Sequence, residues 1–327
     1  MSPTADLSLT SPTVDDLCRP PLDEPRGSRK YWVRKIKSRC LSQAATALGL
    51  VCGMRPGPAF GILMYHRISP HIAGLPAPTW NVTPERFESQ IAGLLRRGFE
   101  PWPLRKALEH SCRGLSISRN AFVVTFDDGY ENVYRNAFPI LQRYQVPATI
   151  FLATAYLDSD KPFPCDDWSA KDSAQAPALS WQPLSTDACR QMQASGLIEL
   201  GAHTHTHQDF RNRPEALRVD LQHNVDCLRD RFGLRDATFA FPYGVVEKGF
   251  AGPPLNEVAR KVGLLCSLST ESKLVRAGSD PFVWGRFNAE AYDTAASLAT
   301  KLQGWYETLR SAKRRVTAQP IAAEATR

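Results

Sequence analysis

Short apolar runs recur along the chain, separated by polar stretches of helical periodicity. The runs cover residues 61–65, 121–126, 148–153, 198–201, 237–241, 264–268 and 282–287. Their shortness, their near-continuous apolar character and their β-branched and aromatic content suit strands covered on both faces. Between them, residues 84–97, 132–144, 185–195, 214–232 and 255–262 carry apolar positions at helical spacing. Strand and helix alternating in this way predict parallel βαβ units. Seven such runs predict an α/β fold closed into a parallel barrel rather than an open sheet.

A parallel barrel carries its chemistry at the C-terminal ends of its strands. The second run ends in Thr125-Phe126-Asp127-Asp128-Gly129. Two adjacent carboxylates at a strand end are costly unless a positive charge lies between them or a proton is shared. They can diverge, one toward a metal and one toward a water, which is the division of labour a metal-assisted hydrolase needs. The alternative is a solvated Asp-Asp-Gly turn. After the fourth run comes His203-Thr204-His205-Thr206-His207, which holds three of the chain's seven histidines. His203 and His207 can converge as paired imidazole ligands; the alternative is a polar loop with an incidental repeat. His66, Asp127, Asp128, His203, His207 and Tyr243 all stand at or just after the last apolar residue of a run, which predicts one shared site.

These motifs in this order resemble the polysaccharide deacetylase family, the NodB-like carbohydrate esterases. The similarity runs from about Phe60 to Arg286. It also takes in Leu63-Met64-Tyr65-His66-Arg67, Phe138-Pro139-Ile140-Leu141, Pro147-Ala148-Thr149-Ile150-Phe151 and Phe241-Pro242-Tyr243-Gly244. The opening segment is most similar to the exopolysaccharide N-deacetylase branch. The resemblance implies a distorted barrel of seven strands and a hydrolase that removes N-acetyl groups from amino sugars of a polysaccharide or oligosaccharide. Asp128, His203 and His207 would hold one divalent metal ion, zinc by default, and Asp127 would take a proton from the attacking water. The oxyanion would be met by the metal and the backbone N–H of Tyr243. His205 is expected to point away. Two positions depart from the family pattern. Where many members place an arginine supporting the base, this chain has Ala240, and Arg286 is the expected replacement. Many members also carry a late histidine acid, whereas no histidine follows His223 here. His66 is therefore the expected proton donor to the leaving amine. The competing readings are a related deacylase of a small-molecule amide and a non-catalytic carbohydrate-binding relative.

Composition refines this picture. The 327 residues, 43% hydrophobic and 22% charged, suit one barrel with appendages. The expected division is an N-terminal extension over 1–55, a catalytic barrel over 56–309 and a basic tail over 310–327. The net charge of +7 is matched by Arg26, Arg29, Lys30, Arg34, Lys35, Lys37 and Arg39 alone, so no basic groove for nucleic acid is implied. Residues 41–54 are too short and too polar to span a bilayer; they predict a helix that packs on the domain or lies on a membrane surface, with the basic segment facing anionic headgroups. The eight cysteines show no CxxC pair and read as thiols rather than a disulfide framework. No signal peptide is evident, which favours a cytoplasmic or membrane-peripheral location; oligomeric state has no sequence signal. Residues 157–182 read as an irregular insertion near the site, with Trp168 and Trp181 as candidate sugar contacts or core covers.

Overall fold

The computed structural model describes residues 29–53, 59–78, 80–164, 168 and 170–318. Residues 1–28 of the expected extension, Cys18, Cys165, Asp166, Asp167 and the tail end 319–327 lie outside the described residues. Seven parallel strands form the frame: β1 (Ala59–Tyr65), β2 (Ala121–Phe126), β3 (Ala148–Leu152), β4 (Ile198–Ala202), β5 (Phe239–Ala240), β6 (Ser267–Leu268) and β7 (Phe287–Asn288). They pair in sequence order, with Gly61 opposite Phe122, Val124 opposite Ala148 and Ala148 opposite Ile198. The curled sheet closes through the last segment. Trp284 bridges Leu268 in parallel on one side, and Leu63 faces Phe287 on the other.

Each strand falls within or beside an expected run, though the last three are shorter. Over residues 281–283 the seventh run instead forms a 3₁₀ turn, capped by the Asp280 carboxylate accepting from the Phe282 N–H. The barrel is accordingly well ordered on the β1–β4 side and thinly paired on the other, which is the distortion.

Period-two alternation decides what faces inward. Phe60, Ile62, Val123, Phe151, Ala240, Leu268 and Trp284 share the inner cluster, whereas Leu63, Phe122, Val124, Ile150, Leu200 and Phe287 pack outward against helices. The inward register of β2 therefore continues through Thr125 to Asp127, and that of the final segment from Trp284 to Arg286. Gly201 is inward on β4, where a Cβ would come within 2.6 Å of the Phe151 ring. Glycine there lets an aromatic fill the barrel.

The outer helices are α1 (Arg29–Cys52), α2 (Pro84–Leu95), α3 (Leu104–Cys112), α4 (Phe138–Tyr144), α5 (Ala170–Gln175), α6 (Thr186–Ala194), α7 (Pro214–Phe232), α8 (Pro253–Lys261), α9 (Ala295–Gln303) and α10 (Trp305–Ala318). α3 has no counterpart among the expected helices. Its Leu104, Ala107 and Leu108 join the inner cluster, so it plugs the N-terminal end of the barrel. α9 was likewise not expected, although Thr294 and Ser297 form a reciprocal capping box at its start. The boundary expected at 309/310 falls inside α10. Residues 41–52 belong to the longer α1, which packs on α9 through buried Ser42 and Ala45, with Gly49 close to Thr300 and Gln303. The Trp305 indole donates to the Gly53 carbonyl at 2.7 Å. Among the described residues no helix is long and apolar enough to cross a membrane.

Candidate active site

The C-terminal ends of β1, β2, β4 and β5 and the segment before β7 bring together the groups singled out in the sequence. Asp128 Oδ1 lies 3.3 Å from His203 Nε2 and 3.2 Å from His207 Nε2. These three ligand atoms all fall within 4.8 Å of one another, and all three residues are buried. The His203 Nδ1 stands 2.8 Å from the Ala240 carbonyl, which fits an Nδ1–H donor and leaves the Nε2 lone pair facing Asp128. One carboxylate oxygen and two imidazole nitrogens suit a divalent cation.

Asp127 is held apart from this cluster. Both arms of the buried Arg286 guanidinium donate to it, Nη1 to Oδ1 at 2.6 Å and Nη2 to Oδ2 at 2.8 Å. Arg286 also donates to Thr125 Oγ1 at 3.3 Å. His66 approaches from the other side, its Nε2 3.9 Å from Asp127 Oδ2. Burial pushes the Asp127 carboxyl upward, but the charges of Arg286, His203 and His66 outweigh it and hold the group below its usual range. Asp128 lies further below: burial raises it, but the close His203 and His207 rings outweigh that. Burial lowers His66, with Asp128 and Asp127 acting in the opposite direction.

The loop that carries the histidines is braced by α7, in a way the sequence did not single out. Asp220 accepts hydrogen bonds from the backbone N–H groups of His205 and Thr206 and from the Thr206 hydroxyl. One turn later the buried Asn224 amide donates to the Leu152 carbonyl, the Thr154 hydroxyl and the Thr204 carbonyl. Two polar residues four apart on a buried helix face were the available signal. His205 turns away, its Nδ1 2.9 Å from Thr154 Oγ1.

Tyr243 stacks edge-on against His207 at 5.0 Å, and its carbonyl accepts from the Thr270 hydroxyl. Backbone strain gathers here: Trp80, Asp128, Thr204, His207 and Tyr243 all have positive φ, which ordinary side chains adopt only when the surroundings over-determine them. The insertion contains α5 and further turns. Its Trp168 is buried and donates to the Pro76 carbonyl at 2.8 Å, while Trp181 donates to Ser173. Trp168 covers the loop beneath it.

Residues 116–264 match the family model described as Polysaccharide deacetylase. Over that stretch, a little under half of the chain, the protein is similar to polysaccharide deacetylases. Asp127, Asp128, His203, His207 and Tyr243 lie inside the matched stretch, whereas β1 with His66 and the β7 segment with Arg286 lie outside it. The chain is similar to the poly-beta-1,6-N-acetyl-D-glucosamine N-deacetylase of Staphylococcus aureus strain MRSA252, with 26% identity over 212 residues covering 62% of this chain and 66% of that protein. The Escherichia coli K12 protein of the same name is 24% identical over 294 residues, covering 77% of this chain and 42% of that one. The solved structure of IcaB from Ammonifex degensii superposes with a TM-score of 0.62 at 24% identity, covering 76% of this chain and 98% of that one. That superposition establishes the shared fold.

Proposed function

We propose that this protein is a metal-dependent hydrolase of carbon–nitrogen bonds, removing N-acetyl groups from amino-sugar residues of a polysaccharide or oligosaccharide. The observation that carries the proposal is the separation of two adjacent carboxylates: Asp127 locked on Arg286, Asp128 among two imidazoles. A binding module has no use for that division.

Asp128, His203 and His207 would hold the divalent cation, zinc by default. When bound, such an ion polarises a carbonyl and lowers the pKa of water from 15.7 to about 7. Asp127, ionised and oriented by Arg286, takes the proton of the attacking water on its carboxylate. Each of its oxygens accepts one bond from Arg286 and keeps a lone pair for that proton. The Tyr243 N–H would donate to the developing oxyanion. His66 gives a proton from Nε2 to the departing amine. Low intrinsic basicity makes its protonated form a ready donor.

The relatives' names point to β-1,6-linked N-acetylglucosamine as the first substrate to try. Acetate release is measured over N-acetylglucosamine oligomers of differing linkage and over simple N-acetyl amides, with chelator and then with added metals. Metal-restored release from the oligomers alone supports the proposal. Release from small amides alone assigns the site to a small-molecule deacylase instead.

A further inference from the structure

Trp80 has features that packing does not account for. Its side chain is 45% exposed, and its backbone sits at φ 58°, a left-handed conformation in which a bulky residue is an outlier. A bulky residue stays in such a conformation only where the surroundings over-determine it. The Trp80 carbonyl accepts from the Arg67 N–H at 3.3 Å, and the next two residues pair with Arg67–Ile68 as a parallel two-stranded ribbon. The Asn81 side chain clamps both the N–H and the carbonyl of Ser69. Asn132 and Asn136 in turn fix Ile68 from the segment following the Asp-Asp turn. A rigid ribbon thus presents an exposed indole in a strained pose.

What the indole meets is His66. The two rings stack with centroids 5.5 Å apart and planes 18° from parallel. The His66 Nδ1 is buried and has no hydrogen-bond partner among the described residues. The usual device for fixing an imidazole, a carboxylate or carbonyl on the far nitrogen, is replaced here by an aromatic plate. One part of Trp80 therefore sets the plane of His66, and the rest lies open beside the groups that act on substrate.

We infer that Trp80 is a substrate-positioning residue whose exposed indole stacks against a pyranose ring on the His66 side of the site, an inference that rests on the proposed action on amino sugars. A pyranose offers an apolar C–H face of about the indole's width with its hydroxyls at the rim, so the ring hides apolar surface while its polar groups stay wet. Stacking there aligns the sugar amine with His66.

The test uses the full chain as wild type, Trp80→Leu and Trp80→Phe. Acetate release from a β-1,6-linked N-acetylglucosamine pentamer gives kcat and KM. Isothermal titration of the same pentamer in an Asp127→Asn background gives Kd without turnover. The expected result for Trp80→Leu is a KM and Kd raised about tenfold, or about 1.4 kcal/mol, with Trp80→Phe recovering most of the affinity and unfolding temperatures unchanged. Values within about twofold of wild type for Trp80→Leu, or equal losses in both variants together with lowered unfolding temperatures, overturn the inference. A wild type that binds the pentamer through Trp80 but releases no acetate sinks the hydrolase proposal alone. A wild type that hydrolyses normally with an indifferent Trp80 sinks this inference alone.

Discussion

Arg286 grips Asp127 through two parallel hydrogen bonds of 2.6 and 2.8 Å, across 159 residues of sequence and with the guanidinium 0% exposed. The fork geometry fixes the plane of the carboxylate, and the charge keeps it ionised despite burial. Replacing Arg286 by Met strands a buried carboxylate, for which the expected stability loss is about 3–5 kcal/mol. The Asp127 value should rise, and kcat should fall about a hundredfold or more. Arg286→Lys should restore charge but not the fork, leaving an intermediate rate. Denaturant unfolding beside kcat for the three proteins checks this.

The two carboxylates should separate cleanly in metal content. Dialysis against chelator should abolish activity, and added zinc should restore it. His203→Ala should lose both metal and turnover, whereas Asp127→Asn should keep its metal, because its side chain lies on Arg286 rather than among the imidazoles. Metal analysis by mass spectrometry after dialysis distinguishes these outcomes. Equal metal loss in both variants would contradict the division of roles.

Lys301 on α9 makes a buried ion pair with Asp293 at 2.6 Å and donates to the Asn288 carbonyl, tying α9 to the end of β7. Burial lowers the ammonium, but the Asp293 charge outweighs it and places Lys301 above its ordinary 10.5. A raised folded value means that the stabilisation is complete below the unfolded value and is lost as pH rises through the folded one. Lys301→Met should therefore cost about 3–5 kcal/mol near neutrality. Its deficit relative to wild type should shrink above pH 10.5. Thermal unfolding of both proteins across that range is the measurement.

Thiol reactivity should follow burial. Cys189 and Cys266 are buried, with the Cys266 thiol pushed up to about 12 by burial, while Cys40, Cys52 and Cys112 are exposed. An alkylating reagent applied to the folded protein near pH 8.5, about the ordinary cysteine value, should modify the exposed three and spare the buried two, as read by peptide mass mapping.

The strands were legible because a strand covered on both faces has to be apolar throughout, and every run between 61 and 287 marks one. Their lengths were not, since pairing on the β5–β7 side is set by how the barrel curls. The Asp-Asp turn and the histidine pair were visible as residue types at strand ends. His66 stood out by its place at the end of the first run, but its expected role came from the lack of any histidine after His223, and Arg286 was reached only from Ala240 standing where an arginine belongs. Their partners are far away in sequence, so no local pattern could announce the pairing with Asp127. α3 went unread because its Leu104, Ala107 and Leu108 form a stripe too short to stand out, and it becomes a helix by plugging the barrel. Asp220 and Asn224 sit on a helix that was expected, on the face that braces the histidine loop. The positive φ at Asp128, His207 and Tyr243 has no sequence signature, because each is imposed by contacts made after folding.

The most direct test is acetate release from β-1,6-linked N-acetylglucosamine oligomers by wild type and Asp127→Asn at matched metal content. The account predicts release by wild type and a rate about 10²–10⁴-fold lower for the variant. Undiminished release by Asp127→Asn, or none from metal-loaded wild type, would contradict it.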